Sequence, residues 1–264
     1  MPPACGLPGA ENARRAPRTQ LVESWALAAL ALALPSPARA MHLADGVLPL
    51  DWAALFTAIA APFVLVALRL LRRRGEADFR LKPLVAMVAA AVFLLSAMPI
   101  PVPFVGTCSH PCGTGLAAIL VGPWMTIVVA LVALLLQALF LAHGGLTTLG
   151  ADLLSMGIAG AFAGWFAFRL FRRAGAPLAA AAFAGGLFSD WCTYAVTAGE
   201  LAVAVHGARP ISQAFGAVAL AFVPVQLPLG LLEGALTAGA VAFVARRRPD
   251  LVLRLGLDSP GRAA

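Results

Sequence analysis

Between residues 51 and 245 the chain is a succession of apolar stretches closed by arginines, and this alternation constrains the fold more than any other feature. The stretches run over 51–71, 83–98, 123–142, 149–171, 177–205 and 210–245, with a shorter one, 113–121, between the second and third. At about 1.5 Å per residue most of them reach across a hydrocarbon layer of about 30 Å; 83–98 is marginal, and 113–121 reaches only about halfway. Lipid offers no partner to a backbone N–H or C=O, so the spanning segments must be helices and not open sheet. With 61% hydrophobic and 12% charged residues, the chain also lacks the polar surface that a water-soluble domain needs. The expected fold class is all-α: a polytopic integral membrane protein of about six to seven transmembrane helices, with 113–121 either re-entrant or extended by its flanks.

The net charge of +7 would suggest nucleic acid in a soluble domain. Here the arginines stand in short runs at the ends of apolar stretches, "RLLRRR" (69–74), "RLFRR" (169–173) and "ARRR" (245–248), which is the distribution of cytoplasmic loops; no nucleic-acid partner is expected. Placing these runs inside fixes the remaining sides. With residue 41 external, 51–71 runs inward to Arg72, 83–98 returns, and the loop 99–112 is external. Segment 149–171 must run inward to Arg172, so "HGGLTT" (143–148) is external too. The pieces 113–121 and 123–142 enter and leave, joined at Gly122-Pro123, and the last segment ends in the cytoplasm at Arg246. Loops carrying His42, His110 and His143 thereby converge on the external face.

The first forty residues read as a targeting segment. Arg14, Arg15 and Arg18 form a basic stretch, "WALAALALAL" (25–34) is apolar but short for a span, and "ARA" (38–40) fits a small-x-small cleavage site. Cleavage after Ala40 leaves Met41 as the mature N-terminus outside the cytoplasm. Translation beginning at Met41 creates the same end, because the bulky His42 hinders removal of an initiator methionine; an uncleaved anchor is the third alternative. The expected organisation is a leader, 1–40, a transmembrane metal-binding domain, 41–250, and a cytoplasmic tail, 251–264.

A free N-terminal amine followed by histidine is a chelator. The Met41 amine, the deprotonated amide of His42 and its imidazole Nδ1 can hold one metal ion in two fused rings, and a fourth nitrogen completes a plane, the geometry associated with Ni(II) or Cu(II); imidazole also suits cobalt. His110, in an external loop beside Pro111 and Gly113, is the best candidate for that fourth nitrogen. A lone loop histidine is commonly no more than a polar loop residue. N-terminal placement and a shared side raise these two above it.

"MHLADGVLP" from Met41, "SHPCGTGLAAILVGP" (109–123), "LLLQALFLAHGGLTTLGADLLSMGIAG" (134–160) and "LPLGLLEGALTAG" (227–239) resemble the CbiM/NikM family, the metal-binding membrane (S) components of energy-coupling factor cobalt and nickel transporters. The resemblance covers nearly all of 41–246, in long and ordered motifs. It implies metal ligands at Met41, His42 and His110, Co²⁺ or Ni²⁺ as the transported substrate, and no prosthetic group. It also implies partners: a second membrane (T) component, a pair of ATP-binding (A) subunits and a small accessory membrane protein. Cobalamin biosynthesis is then the consumer of the cobalt.

Departures and unassigned groups remain. Cys108 and Cys112 stand where the family more often carries small hydroxylated residues. One of them could act as a soft ligand, or both are small loop residues, or they pair as a disulfide. Asp152 stands where the family's "LGAN" has asparagine; it either orients an imidazole from behind or favours the first turn of its helix. His143 either gates the site as an outer partner or simply ends a helix. Asp190 and Glu233 lie inside apolar stretches, where a charge is a functional candidate, and either act there or pack helices in protonated or paired form. No G-x-x-x-x-G-K-[ST] loop is present, so the chain is expected to be no enzyme and ATP hydrolysis to belong to partner subunits. The alternatives are a membrane-embedded metalloenzyme, which would need an open coordination position and a general base, and a permease for another solute.

Overall fold

The structure, a computed structural model, describes residues 43, 45–98, 100–101, 108–141 and 143–254, with only the backbone described at 100, 101, 108 and 252–254. The leader expected at 1–40, the ligand candidates Met41 and His42, and tail residues 255–264 lie outside the described residues.

Helices α1 (Leu50–Ala77), α2 (Leu81–Ser96), α3 (Thr114–Val121), α4 (Pro123–Phe140), α5 (Leu149–Arg173), α6 (Leu178–Val205) and α7 (Ile211–Arg247) follow one another, and a short α8 (Pro249–Arg254) closes the series. Within α5, residues Leu153–Gly160 are π-helical. α1, α4, α5 and α7 are each long and apolar enough to cross a bilayer, and α2 is a shorter apolar helix. The chain is an all-α polytopic membrane protein. Among the described residues the extended structure is a two-residue antiparallel pairing of Ile100–Pro101 with Cys108–Ser109, which ties the neck of the loop before α3.

Helix ends depart from the limits of the apolar stretches for local reasons. The first stretch ends at 71, but α1 continues through the arginines to Ala77, because leucine, arginine and alanine favour helix and Arg72 pairs with Glu76 at 3.2 Å one turn on. It stops where Asp78 turns to extended backbone. α7 likewise runs on through its basic end to Arg247.

The half-length stretch resolves into α3, eight residues long, or about 12 Å. Gly113 precedes it and Gly122 ends it, with φ of 70° and 82°, a region where a Cβ would be strained. Pro123 occupies the first turn of α4, where its missing N–H costs nothing. The reversal thus sits at Gly122-Pro123, and the chain reaches α3 through the buried, non-helical segment 109–113.

Small residues let three helices meet backbone to backbone. A Cβ on Gly115 of α3 would lie 2.8 Å from the Gly185 carbonyl oxygen of α6, and one on Gly186 would lie 2.8 Å from the Glu233 carbonyl oxygen of α7. This contact brings polar side chains of α6 and α7 against the segment before α3. At the other edge, Leu43 and Leu48 are 1% and 3% exposed and pack with Ala53, Phe56, Ala151 and Leu201. Burial of a leucine side chain is worth about 1.5–3 kcal/mol, so the chain entering α1 is seated firmly between α1, α5 and α6.

Candidate functional site

Segment 109–113 carries His110 into the bundle, and its backbone groups are satisfied by side chains from distant helices. Tyr194 of α6 serves His110 twice: its hydroxyl accepts the His110 N–H at 2.8 Å and donates to the His110 carbonyl at 3.2 Å. Pro111 has no N–H to satisfy. Glu233 of α7 takes the next two donors, the Cys112 N–H at 2.6 Å and the Gly113 N–H at 2.8 Å, one on each carboxylate oxygen. The Ser109 hydroxyl donates to Gln226, whose amide donates in turn to Asp190. The spacing explains how two helices provide this. Asp190 and Tyr194 are one turn apart on α6, and Gln226 and Glu233 are two turns apart on α7, so each pair lines one face. A buried N–H left without an acceptor costs about 1–3 kcal/mol, and Glu233 removes two such costs.

The His110 ring is 3% exposed. Its Nδ1 lies 3.1 Å from the Pro111 carbonyl oxygen, which can only accept, so Nδ1 carries the proton and Nε2 the lone pair. Burial lowers its pKa to about 4, opposed in part by the bond to Pro111, so the imidazole is neutral at pH 7, the form that binds a metal. His143 lies beside it, ring centroids 5.9 Å apart and planes at 65°. Burial first, and the neighbouring His110 second, bring the His143 pKa down to about 3. Gly144, with φ 85°, turns the chain away from α4 just after this residue.

The loop that begins at His143 ends on the chain entering α1. The Thr148 hydroxyl donates to the Leu43 carbonyl, the Leu43 N–H donates to Asp152 Oδ1 at 3.1 Å, and the Thr147 N–H donates to Asp45 Oδ1 at 2.9 Å. One loop therefore touches His110 at one end and, at the other, the residue that follows His42. Asp152 stands in the first turn of α5, and its carboxylate accepts the Leu43 N–H.

Cys112 carries a free, buried thiol, so the disulfide with Cys108 is not formed. The thiol points at the acids, 3.9 Å from Asp190 Oδ1. Burial, then the Glu233 and Asp190 carboxyls, push its pKa well above the ordinary thiol value, so without a metal it is a protonated thiol at neutral pH. The Cys108 side chain is not among those described.

Sequence reasoning named His110, His143 and Asp152 and flagged Asp190 and Glu233 as acids within apolar stretches. It missed Tyr194, Gln226, Ser109 and Thr148. Tyr194 is the single tyrosine of the chain, set in an apolar stretch, and that isolation was a readable signal.

The family model described as the cobalt uptake substrate-specific transmembrane region, CbiM, matches residues 42–251. A cobalt transport protein CbiM of Sorangium cellulosum is 65% identical over 215 residues, covering 81% of this chain and 96% of that one. The protein of the same name from Geobacter sulfurreducens is 58% identical over 231 residues, 88% of this chain and 67% of that one. The crystal structure of a truncated transition metal transporter superposes with a TM-score of 0.69 at 26% identity, covering 78% of this chain and 99% of that one.

Proposed function

The chain belongs to the cobalt-uptake substrate-specific transmembrane family, CbiM, and from that membership we propose that it is the metal-capturing subunit of an ATP-driven cobalt importer of the energy-coupling factor type. It is a membrane component of cobalt uptake and not an enzyme, since its relatives are cobalt transport proteins. Co²⁺, or Ni²⁺ by the same donor chemistry, is the substrate. The ligands are the Met41 amine, the His42 amide and imidazole nitrogens, and His110; His143 stands beside the last of these. The N-terminus and the three histidine-bearing segments face outward, the arginine ends of α1, α5 and α7 face the cytoplasm, and T, A and small accessory subunits complete the importer. Its cobalt would feed cobalamin biosynthesis.

One observation carries this reading. His110 is held neutral and buried at the point where a single loop also ties down the residue following His42. A neutral imidazole on a fixed backbone offers its lone pair without loss of side-chain freedom on binding. An N-terminal chelate delivered beside it supplies the other three nitrogens. Two nitrogens of the set, the amine and the amide, must give up protons to bind, so capture releases protons and weakens in acid.

The test is His110→Ala in the purified chain beginning at Met41 and in cells carrying the complete importer. Uptake should be abolished and cobalt affinity reduced by at least about a hundredfold, with membrane insertion intact, because one of four nitrogens is lost from a segment outside the spanning helices. Wild-type uptake by this variant would exclude His110 as a ligand.

A further inference from the structure

We propose that Glu233 is a positioning residue for metal capture: its carboxylate, by holding the N–H groups of Cys112 and Gly113, sets where His110 stands. The proposal rests on His110 being a ligand and adds to it a residue that touches no metal. α3 has no side-chain cap of its own, since Gly113 precedes it, and the first N–H groups of a helix have no partner within it. Glu233 holds the two N–H groups at the entrance to α3 from a helix more than a hundred residues further along, with one oxygen 2.6 Å from the Cys112 nitrogen and the other 2.8 Å from that of Gly113. Between this grip and His110 stands only Pro111, whose ring fixes φ. On the other side of His110, Tyr194 holds both its N–H and its carbonyl. The ligand is thus gripped before and behind, and a shift of the Glu233 carboxylate has little slack in which to be lost.

The same atoms invite a rival reading. Ligand atoms of Cys112, Asp190 and Glu233 all lie within 4.8 Å of one another, a grouping that could hold a second metal ion. The hydrogen bonds decide against it. Both Glu233 oxygens are committed to backbone donors, Asp190 accepts from Gln226 and faces the Cys112 thiol, and an ion would have to break this set to enter. The cluster is satisfied as a clamp.

Glu233→Gln separates clamp from core packing. Glutamine keeps the volume and one acceptor but turns an NH₂ toward a backbone N–H, so one bond becomes a repulsion. It also removes one of two neighbouring buried acids, which favours the fold. The purified variant beginning at Met41 should therefore remain monodisperse with wild-type helix content, while Co²⁺ affinity by calorimetry falls at least about tenfold and the visible ligand-field spectrum of the bound ion changes. Glu233→Asp, which keeps the carboxyl but withdraws it by one methylene, should show an intermediate loss. Lowered thermal stability with unchanged affinity and spectrum would make Glu233 merely structural and overturn the proposal. A stoichiometry falling from two ions to one would establish the rival second site and overturn it equally. If neither variant accumulates, hydrogen exchange of the native chain decides: the Cys112 and Gly113 amides must be protected without metal, and rapid exchange overturns the clamp. His110→Ala is measured in parallel. Wild-type binding there would sink the site itself, whereas loss there with retention in Glu233→Gln would sink only the clamp.

Discussion

The two halves of the site are held by different means. Segment 109–113 is buried, and its backbone is bonded by Tyr194 of α6 and Glu233 of α7. Segment 43–48 is held by its neighbour in space, the 143–148 loop and the start of α5, and its grip is graded: Leu43 is buried and bonded to Asp152 and Thr148, whereas Asp45 meets Thr147 at the surface and Gly46 follows with φ 87°. The first half is held by bonds from two other helices. In the proposed site the second would carry the chelating end of the chain, anchored through one loop. Affinity then depends on pre-organisation in the first half and on register in the second.

Register is broken most severely by inserting one alanine between Met41 and His42. The charge, the amine and the imidazole all remain, but another peptide unit separates them and the fused rings enlarge. Cobalt affinity measured by calorimetry should fall by at least about tenfold, or about 1.4 kcal/mol, with the 109–113 half untouched. Unchanged affinity would mean that His42 binds as an independent side chain or not at all.

A smaller effect is expected where the loop meets the arm. A Cβ on Gly145 would lie 2.6 Å from the Asp45 backbone nitrogen and against the Asp45 carboxylate, so backbone and not a flexible tip would have to move. Overpacking of this kind costs roughly 1–3 kcal/mol, shared between a shifted loop and a weaker seat for Leu43. Gly145→Ala should weaken cobalt binding by about threefold to tenfold while leaving the protection of the Cys112 and Gly113 amides unchanged. Loss of protection there would show that the two halves are one mechanical unit and erase the contrast drawn between them.

Different parts of this arrangement were legible to different degrees. The helices were, because lipid imposes one solution on apolar stretches and the arginines mark their ends. So was the break at Gly122-Pro123, where a positive φ and a first-turn proline carry their own signature. His110 could be named because the arginine runs put its loop on the same side as His42, beside Pro111 and Gly113. Its supports could not, for a pairing such as Cys112 with Glu233 joins residues more than a hundred positions apart and depends on glycine contacts among α3, α6 and α7 that no periodicity encodes. Cys112 shows the same gap from the other side: spacing allowed a ligand or a disulfide, and only the fold shows the thiol unpaired, its pKa raised by burial first and the neighbouring acids second. Met41 and His42 were read from the chemistry of a chain end, and their placement lies outside the described residues.

The smallest effect belongs to Asp45, the exposed limit of the second half. The Thr147 hydroxyl first, and then the backbone N–H groups of Thr147 and Leu146, hold its carboxyl below the ordinary value. A carboxyl depressed in the folded chain contributes stability that is complete above its unfolded pKa of about 3.9 and is lost as pH falls through the folded value. Between pH 7 and about 5 this contact should therefore be constant, and any weakening of cobalt capture in that window must come from protons competing at the ligands themselves. Exposed polar contacts of this kind are worth little, so Asp45→Asn, whose amide oxygen still accepts the Thr147 N–H, should change cobalt affinity at pH 7 by no more than about fivefold. The variant and the wild type should lose binding in parallel from pH 7 to 5, read by calorimetry at matched ionic strength. Divergence of the two curves within that window would show Asp45 titrating well above the place its bonds assign it, and would move the exposed end of the arm from the margin of the site into its proton chemistry.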